Sequence, residues 1–139
     1  MAQAFQDLMV WQRAIELSLA VCSYTDEFPA KELYGLSSQL RRASVSVASN
    51  IAEGRGRNTP GEFKQFLGMA QGSNCEVQTQ LVLAGRLKFG NASLLRAAEK
   101  LSVGGMLVDC DKLTKFLLLK TRDKILSDEA SSPGDYDFS

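Results

Sequence analysis

The chain has 139 residues, of which 45% are hydrophobic and 23% are charged, the balance of a folded domain and not of a disordered or fibrous chain. The charges of sixteen basic and sixteen acidic side chains cancel, and there is no histidine. The chain therefore lacks the commonest general base and metal ligand, and it cannot contain a Ser-His or Cys-His nucleophile system. The composition favours a protein that binds or assembles over an enzyme.

The charges are unevenly distributed along the chain. Residues 1–124 contain all sixteen basic residues and twelve acids, a net charge of +4. Residues 125–139 contain no base and four acids, a net charge of −4: Asp128, Glu129, Asp135 and Asp137. We predict a folded domain over residues 1–124 and a disordered acidic tail over residues 125–139.

Three cysteines, Cys22, Cys75 and Cys110, lie far apart and form no CxxC pair. This odd, scattered set predicts buried free thiols, and neither a disulfide framework nor a zinc site. The N-terminal sequence lacks the basic and apolar regions of a signal peptide, and no stretch approaches the roughly twenty apolar residues of a membrane span. We expect a cytoplasmic protein with no cofactor, no metal, no small-molecule substrate and no membrane partner.

Hydrophobic periodicity predicts a first helix over residues 8–25, with Asp7 as its N-cap, ended by Phe28-Pro29. A second helix is predicted over residues 33–53, with Gly54 as its C-cap. Residues 43–48 alternate and alone would pass for a strand, but a longer helical register runs through them. That register consists of five apolar side chains: Leu36, Leu40, Ala43, Val47 and Ile51.

The clearest predicted helix start is Thr59-Pro60-Gly61-Glu62, a capping box with proline at the first helical position. This third helix is predicted to end at about Lys88, and Gly68 and Gly72 inside it suggest close helix contact. Gly90 is predicted to terminate it, and Asn91 is predicted to be the N-cap of a fourth helix over residues 92–122, which Gly104-Gly105 can kink. Four helices with short connections predict an all-α, antiparallel, up-down-up-down four-helix bundle.

Five basic residues are the candidate nucleic-acid-binding residues: Arg41, Arg42, Arg55, Arg57 and Lys64. If the loop after the second helix folds back, the last three share one end of the bundle and can neutralise phosphates. In the alternative, the arginines of the second helix pair with acids of neighbouring helices, and those of the loop are only solvated. The acids considered as partners are Glu53, Glu62 and Glu76.

The first helix has more apolar residues than one core-facing stripe requires: Leu8, Val10, Trp11, Leu17, Val21 and Tyr24. The predicted fourth helix also contains an unbroken apolar run at residues 117–119. Such an excess indicates either an unusually broad core or a subunit interface.

The sequence resembles the 23S ribosomal RNA intervening-sequence proteins over about residues 5–120, most clearly in residues 5–17, 32–57 and 62–81. The resemblance implies an antiparallel four-helix bundle that assembles into a ring-like homopentamer. More distantly, the fold is similar to that of the accessory variability proteins of diversity-generating retroelements, basic pentamers that bind a reverse transcriptase and nucleic acid. The signature residues surround the end of the second helix: Gln39, Arg41, Arg42, Ser46, Asn50, Glu53, Gly54 and Arg57.

Two functional hypotheses follow. In the first, a non-enzymatic homopentamer binds RNA or a nucleoprotein partner through the five basic residues. In the alternative, the chain is a protein-interaction scaffold that binds no nucleic acid, and its arginines are structural. A third and smaller hypothesis is an enzyme in which Glu53 and Glu76 form an unrecognised carboxylate site.

Overall fold

The computed structural model describes residues 4–103 and, beyond them, Leu119 and Leu126. Its regular structure in residues 4–103 is entirely helical: α1 (Met9–Thr25), α2 (Leu36–Arg55), α3 (Pro60–Arg86) and α4 (Ala92–Val103), with single 3₁₀ turns at Phe5–Asp7 and Ala30–Glu32. The predicted kink at Gly104-Gly105, the rest of the predicted fourth helix, Cys110 and the tail lie outside the described residues. None of the described helices combines the length and apolar character needed to cross a lipid bilayer.

Each helix packs against two others, so that α1 contacts α2 and α4, and α3 contacts α2 and α4. Two side-chain contacts set the alignment of α2 and α3. The hydroxyls of Ser46 and Ser73 are 2.9 Å apart, and Gln80 Nε2 donates to Gln39 Oε1 at 3.4 Å. Because the residue numbers rise on one helix as they fall on the other, the pair is antiparallel. The predicted all-α four-helix arrangement is confirmed.

The core follows the predicted apolar register of α2, since all five of its members are buried. The excess on α1 also goes largely into the core: Leu8, Val10, Leu17, Val21 and Tyr24 are buried, and Trp11 packs against them. For α1, the broad core is therefore the explanation. The prediction of buried thiols is wrong for Cys22 and Cys75, which are both exposed. Cys22 directly follows the buried Val21, and its place on the helix faces solvent.

Two predicted helix ends are corrected. Asp7 is not the N-cap of α1, because the chain tightens into the Phe5–Asp7 turn and Leu8 takes that position without a side-chain cap. Gly54 is not the C-cap of α2, since the helix continues to Arg55 and the amide of Gly56 bonds to the carbonyls of Ala52 and Glu53. Gly54 is instead buried against α3.

The start of α2 also differs from the prediction. The helix begins at Leu36, three residues later than predicted, because Ala30–Glu32 forms a 3₁₀ turn. Glu32 Oε2 accepts a hydrogen bond from the Leu36 amide at 3.2 Å, which satisfies one of the free amides at the helix start.

The predicted caps of α3 and α4 are confirmed. Thr59 Oγ1 accepts from the Glu62 amide at 3.2 Å, and Asn91 Oδ1 accepts from the amides of Ser93 and Leu94 at 2.7 and 3.3 Å. α3 ends at Arg86, because the chain turns through positive φ values at Lys88 and Gly90 (59° and 67°).

The close contact predicted for Gly68 and Gly72 is not found in the described part of the chain. Both glycines are exposed, and a Cβ added at either would have nothing within 4 Å.

Candidate interaction site at the turn between the second and third helices

Three of the five candidate basic residues lie at one end of the bundle. Arg55 is the last residue of α2, Arg57 is in the connection, and Lys64 is in the second turn of α3. The connection is short, since only residues 56–59 separate the two helices. We call Arg55, Arg57 and Lys64 the basic end.

The three cations lie on different sides of that end. Arg55 is four residues beyond the buried Ile51 and is on the core-facing side of α2, where it is half-buried. Lys64 precedes Gln78 by two helical repeats of seven residues, and Gln78 contacts α4, so Lys64 is on the α4 side of α3. Arg57 lies over the seam between α2 and α3. The basic end thus surrounds the end of the core and is not one continuous patch.

Arg57 is held by two contacts. Its Nη2 donates to Glu53 Oε1 at 3.0 Å, one helical turn back, and its guanidinium lies 4.9 Å from the centroid of the Phe66 ring. The carboxylate balances the charge of Arg57, and the ring fixes the position of the guanidinium plane. The pair is partly exposed, so its contribution to stability is small.

Arg55 and Lys64 remain without a counter-ion in the described residues. The Nε of Arg55 is buried and has no hydrogen-bond acceptor. Lys64 is exposed, and no hydrogen bond or ion pair joins it to any residue that the structure describes. A buried donor without an acceptor is unfavourable, and no carboxylate of the described residues offsets the charge of Arg55.

Arg41 lies elsewhere, about 21 Å before Arg55 along α2 at 1.5 Å per residue. Its Nε donates to Thr25 Oγ1 and its Nη2 to Asp26 Oδ1, both at 2.8 Å, which ties α2 to the end of α1. The acids expected as its partners, Glu53, Glu62 and Glu76, do not contact it. Arg42 is exposed and has no ion pair within residues 4–103. The five candidates therefore do not form one cluster.

Of the remaining signature residues, Gln39 and Ser46 join α2 to α3, and Asn50 supports Ser46 from within α2. Ser46 contacts Ser73, and Gln39 accepts from Gln80. Asn50 Nδ2 donates to the carbonyl and hydroxyl oxygens of Ser46 at 2.9 and 3.0 Å. These contacts give most of the signature a structural explanation.

Glu53 and Glu76 do not form a carboxylate site. Ser46 faces Ser73, so Glu53 is level with about Phe66, ten residues or about 15 Å along α3 from Glu76. Glu53 pairs with Arg57, and Glu76 Oε1 accepts from Gln80 Nε2 at 3.3 Å. Within the described residues, no group of three acid, cysteine or histidine side chains could hold a metal ion.

The sequence alone does not indicate two residues of the site: Asp26, the partner of Arg41, and Phe66, the ring under Arg57. Each contact joins a helix to a residue outside that helix, Arg41 of α2 to Asp26 after α1 and Phe66 of α3 to Arg57 of the connection. Hydrophobic periodicity carries no signal for such contacts. Phe66 could be placed beside the end of α2 only if the alignment of α2 with α3 were known.

Comparison with known families supports the resemblance seen in the sequence. The model of the 23S rRNA-intervening sequence protein matches residues 6–104, more than half of the chain. The chain belongs to the 23S rRNA-intervening sequence protein family. The match includes α1 to α4 as described and the turn that carries the basic end. The description of the 23S rRNA-intervening sequence protein family names no reaction. No curated protein matches the chain.

Proposed function

We propose that this chain is a non-enzymatic, homo-oligomeric four-helix bundle that acts as a protein-interaction scaffold. One observation carries the proposal, the exposure of four apolar side chains at the end of the bundle opposite the basic end. We call this group the apolar patch: Leu33, Tyr34, Leu83 and Leu87, which are 54%, 93%, 49% and 50% exposed. Grouped exposed apolar side chains on a soluble domain mark interaction surfaces. Five copies in a ring are the assembly that the family resemblance implies.

The alignment of the helices brings the members of the patch to one level. Gln39 faces Gln80, so the start of α2 is level with about Leu83. Leu87 lies one turn beyond Leu83 on the same side, while Leu33 and Tyr34 lie just before Gly35, the N-cap of α2. The patch therefore combines an apolar helix face with an exposed tyrosine, a residue type enriched among the side chains that dominate the energetics of protein interfaces.

The contacts of the arginines support the same proposal. Arg41 is occupied by Thr25 and Asp26, and Arg57 by Glu53 and Phe66. Two of the five cations considered for RNA binding thus have structural partners in the bundle itself.

Light scattering on the purified chain tests the proposal. We expect an oligomer whose mass falls towards that of one chain when Leu83→Gln and Leu87→Gln are combined. Val82→Gln is the matched control, because Val82 is equally exposed but points to another side of α3. A monomeric wild-type protein would refute the proposal, as would an equal loss of mass in the control.

RNA binding is the second candidate, favoured by Arg55 and Lys64, which share one end and lack counter-ions in the described residues. Retention of RNA on a filter at about 50 mM salt, with steep loss as salt rises, is the expected behaviour. Arg55→Ala should weaken retention, whereas Arg96→Ala, at the other end of the bundle, should not. Equal weakening by both substitutions would indicate non-specific attraction and would reject a site at the basic end.

A further inference from the structure

Residues 127–139 form an acidic segment with four carboxylates and no base. Residues 1–124 carry a net charge of +4, so the two parts of the chain attract each other. A specific contact requires more than attraction. It requires that the acidic segment can reach cations that have no partner.

The direction of α4 determines where the acidic segment can reach. The Ser102 carbonyl accepts from Asn74 Nδ2 at 2.8 Å and from Gln78 Nε2 at 2.9 Å, which places Ser102 level with the middle of α3. Because α4 runs antiparallel to α3, the chain leaves Val103 towards Pro60, about 21 Å further along α3 at 1.5 Å per residue. A chain of 23 residues, the number in 104–126, reaches about 35 Å even at a rise of only 1.5 Å per residue, so residue 127 can reach the end of the bundle.

That end is the basic end. Arg55 is half-buried and has no ion pair within residues 4–103, and Lys64 lies without a counter-ion in the described residues on the α4 side of α3. Arg57 is already balanced by Glu53, but its guanidinium over Phe66 forms a flat platform. The end therefore presents two unpaired cations beside a surface suited to an aromatic ring.

We propose that the acidic segment, residues 127–139, binds the basic end of its own bundle, with carboxylates against Arg55 and Lys64. The sequence 135–138, Asp-Tyr-Asp-Phe, alternates acids with aromatic rings. In an extended chain alternate side chains point to the same side, so Asp135 and Asp137 can face the cations together. The segment then competes with any other anion, including nucleic acid, for this end. The inference is independent of the apolar patch.

Zero-length cross-linking of the full chain with a carbodiimide tests the contact. The reagent joins a carboxylate to a lysine amine as an amide, with loss of water, only where the two groups already touch. We expect mass spectrometry to find Lys64 joined to the acidic segment within a single chain. The yield should fall several-fold between about 50 mM and about 1 M salt, where screening shortens from more than 10 Å to about 3 Å.

Three matched variants make the result specific. Lys64→Arg keeps the charge but removes the amine and should abolish the cross-link. Arg55→Gln should lower its yield several-fold, and Arg96→Gln should leave it unchanged. Equal cross-linking of the segment to Lys31 and Lys88, at the opposite end of the bundle, would overturn the proposal. A Lys64 that joins no segment carboxylate but is protected from amine modification by a single-stranded oligonucleotide would also overturn it and assign the end to nucleic acid.

Discussion

Tyr24 joins the end of α1 to the turn before α4. Its side chain is fully buried, its hydroxyl donates to the Phe89 carbonyl at 2.8 Å, and its ring meets Phe28 edge-on at 4.8 Å between centroids. Burial, and then the negative charge of Glu99, raise the pKa of Tyr24 above 10.0. The neutral hydroxyl is therefore the form that the fold requires.

This pKa predicts a loss of stability in alkali. Tyr24 ionises near pH 10 in the unfolded chain, whereas the folded side chain ionises only at a higher pH. The contribution of the neutral side chain to the free energy of unfolding is therefore complete below about pH 10. It is lost as the pH rises through the pKa of the folded state. Tyr24→Phe should lower the free energy of unfolding by about 1 kcal/mol at pH 7 and reduce this alkaline loss. Urea denaturation from pH 8 to 11 measures both effects. An equal reduction of the alkaline loss of stability by Tyr34→Phe, whose ring is exposed, would contradict the explanation.

Residue-scale contacts also show the limits of sequence reasoning. The two caps at Thr59 and Asn91 could be predicted, because each is a local pattern in which a side chain reaches an amide two or three residues on. The contact of Arg41 with Asp26 could not, since it depends on how α2 lies against the end of α1. Arg42, its neighbour in sequence and in the signature, points to solvent.

At the scale of the helices, Gly54 sets how closely α2 approaches α3. A Cβ added there would lie 2.5 Å from the Cβ of Phe66 and 3.3 Å from Cδ2 of Phe63. The two helices would have to separate, and separation also loosens the contact between Ser46 and Ser73. The position is glycine because of its neighbours in space and not because the helix ends there.

Gly54→Ala is therefore expected to lower the free energy of unfolding by about 1–3 kcal/mol, although alanine favours a helix by up to about 1 kcal/mol over glycine. Gly72→Ala is the matched control, since an added Cβ there meets no described residue within 4 Å, and it should raise the stability slightly. Chemical denaturation of the two variants measures the difference. Stabilisation by both substitutions would show that α2 and α3 adjust at no cost.

The burial of the five apolar side chains of the α2 register can be predicted from the sequence, because their period is that of one helix face. The role of Gly54 cannot be predicted in this way, because a glycine near a helix end has the same sequence pattern whether it caps the helix or allows another helix to approach closely. Gly68 and Gly72 are the opposite case, in which the sequence pattern indicates a close contact that the described residues do not show. Glycines one turn apart suggested a contact, yet both are exposed, since spacing along one helix does not specify a neighbouring helix.

At the scale of the whole molecule, the bundle separates two kinds of surface. The apolar patch lies where α2 starts and α3 ends, and the basic end lies where α2 ends and α3 starts. Assembly through the patch would leave the basic ends of all copies accessible. Each copy would also contribute one acidic segment of charge −4, so the assembly as a whole would remain electrically neutral.

The short connection between α2 and α3 also affects how the chain folds. Residues 56–59 close the smallest loop between any two packed helices in the described part, so bringing these helices together costs the least chain entropy. The close contact of Gly54 with Phe66 lies directly beside that loop. By contrast, the bond between Tyr24 and Phe89 joins residues 65 positions apart. Folding is therefore expected to begin with the α2–α3 hairpin, on which α1 and α4 then dock.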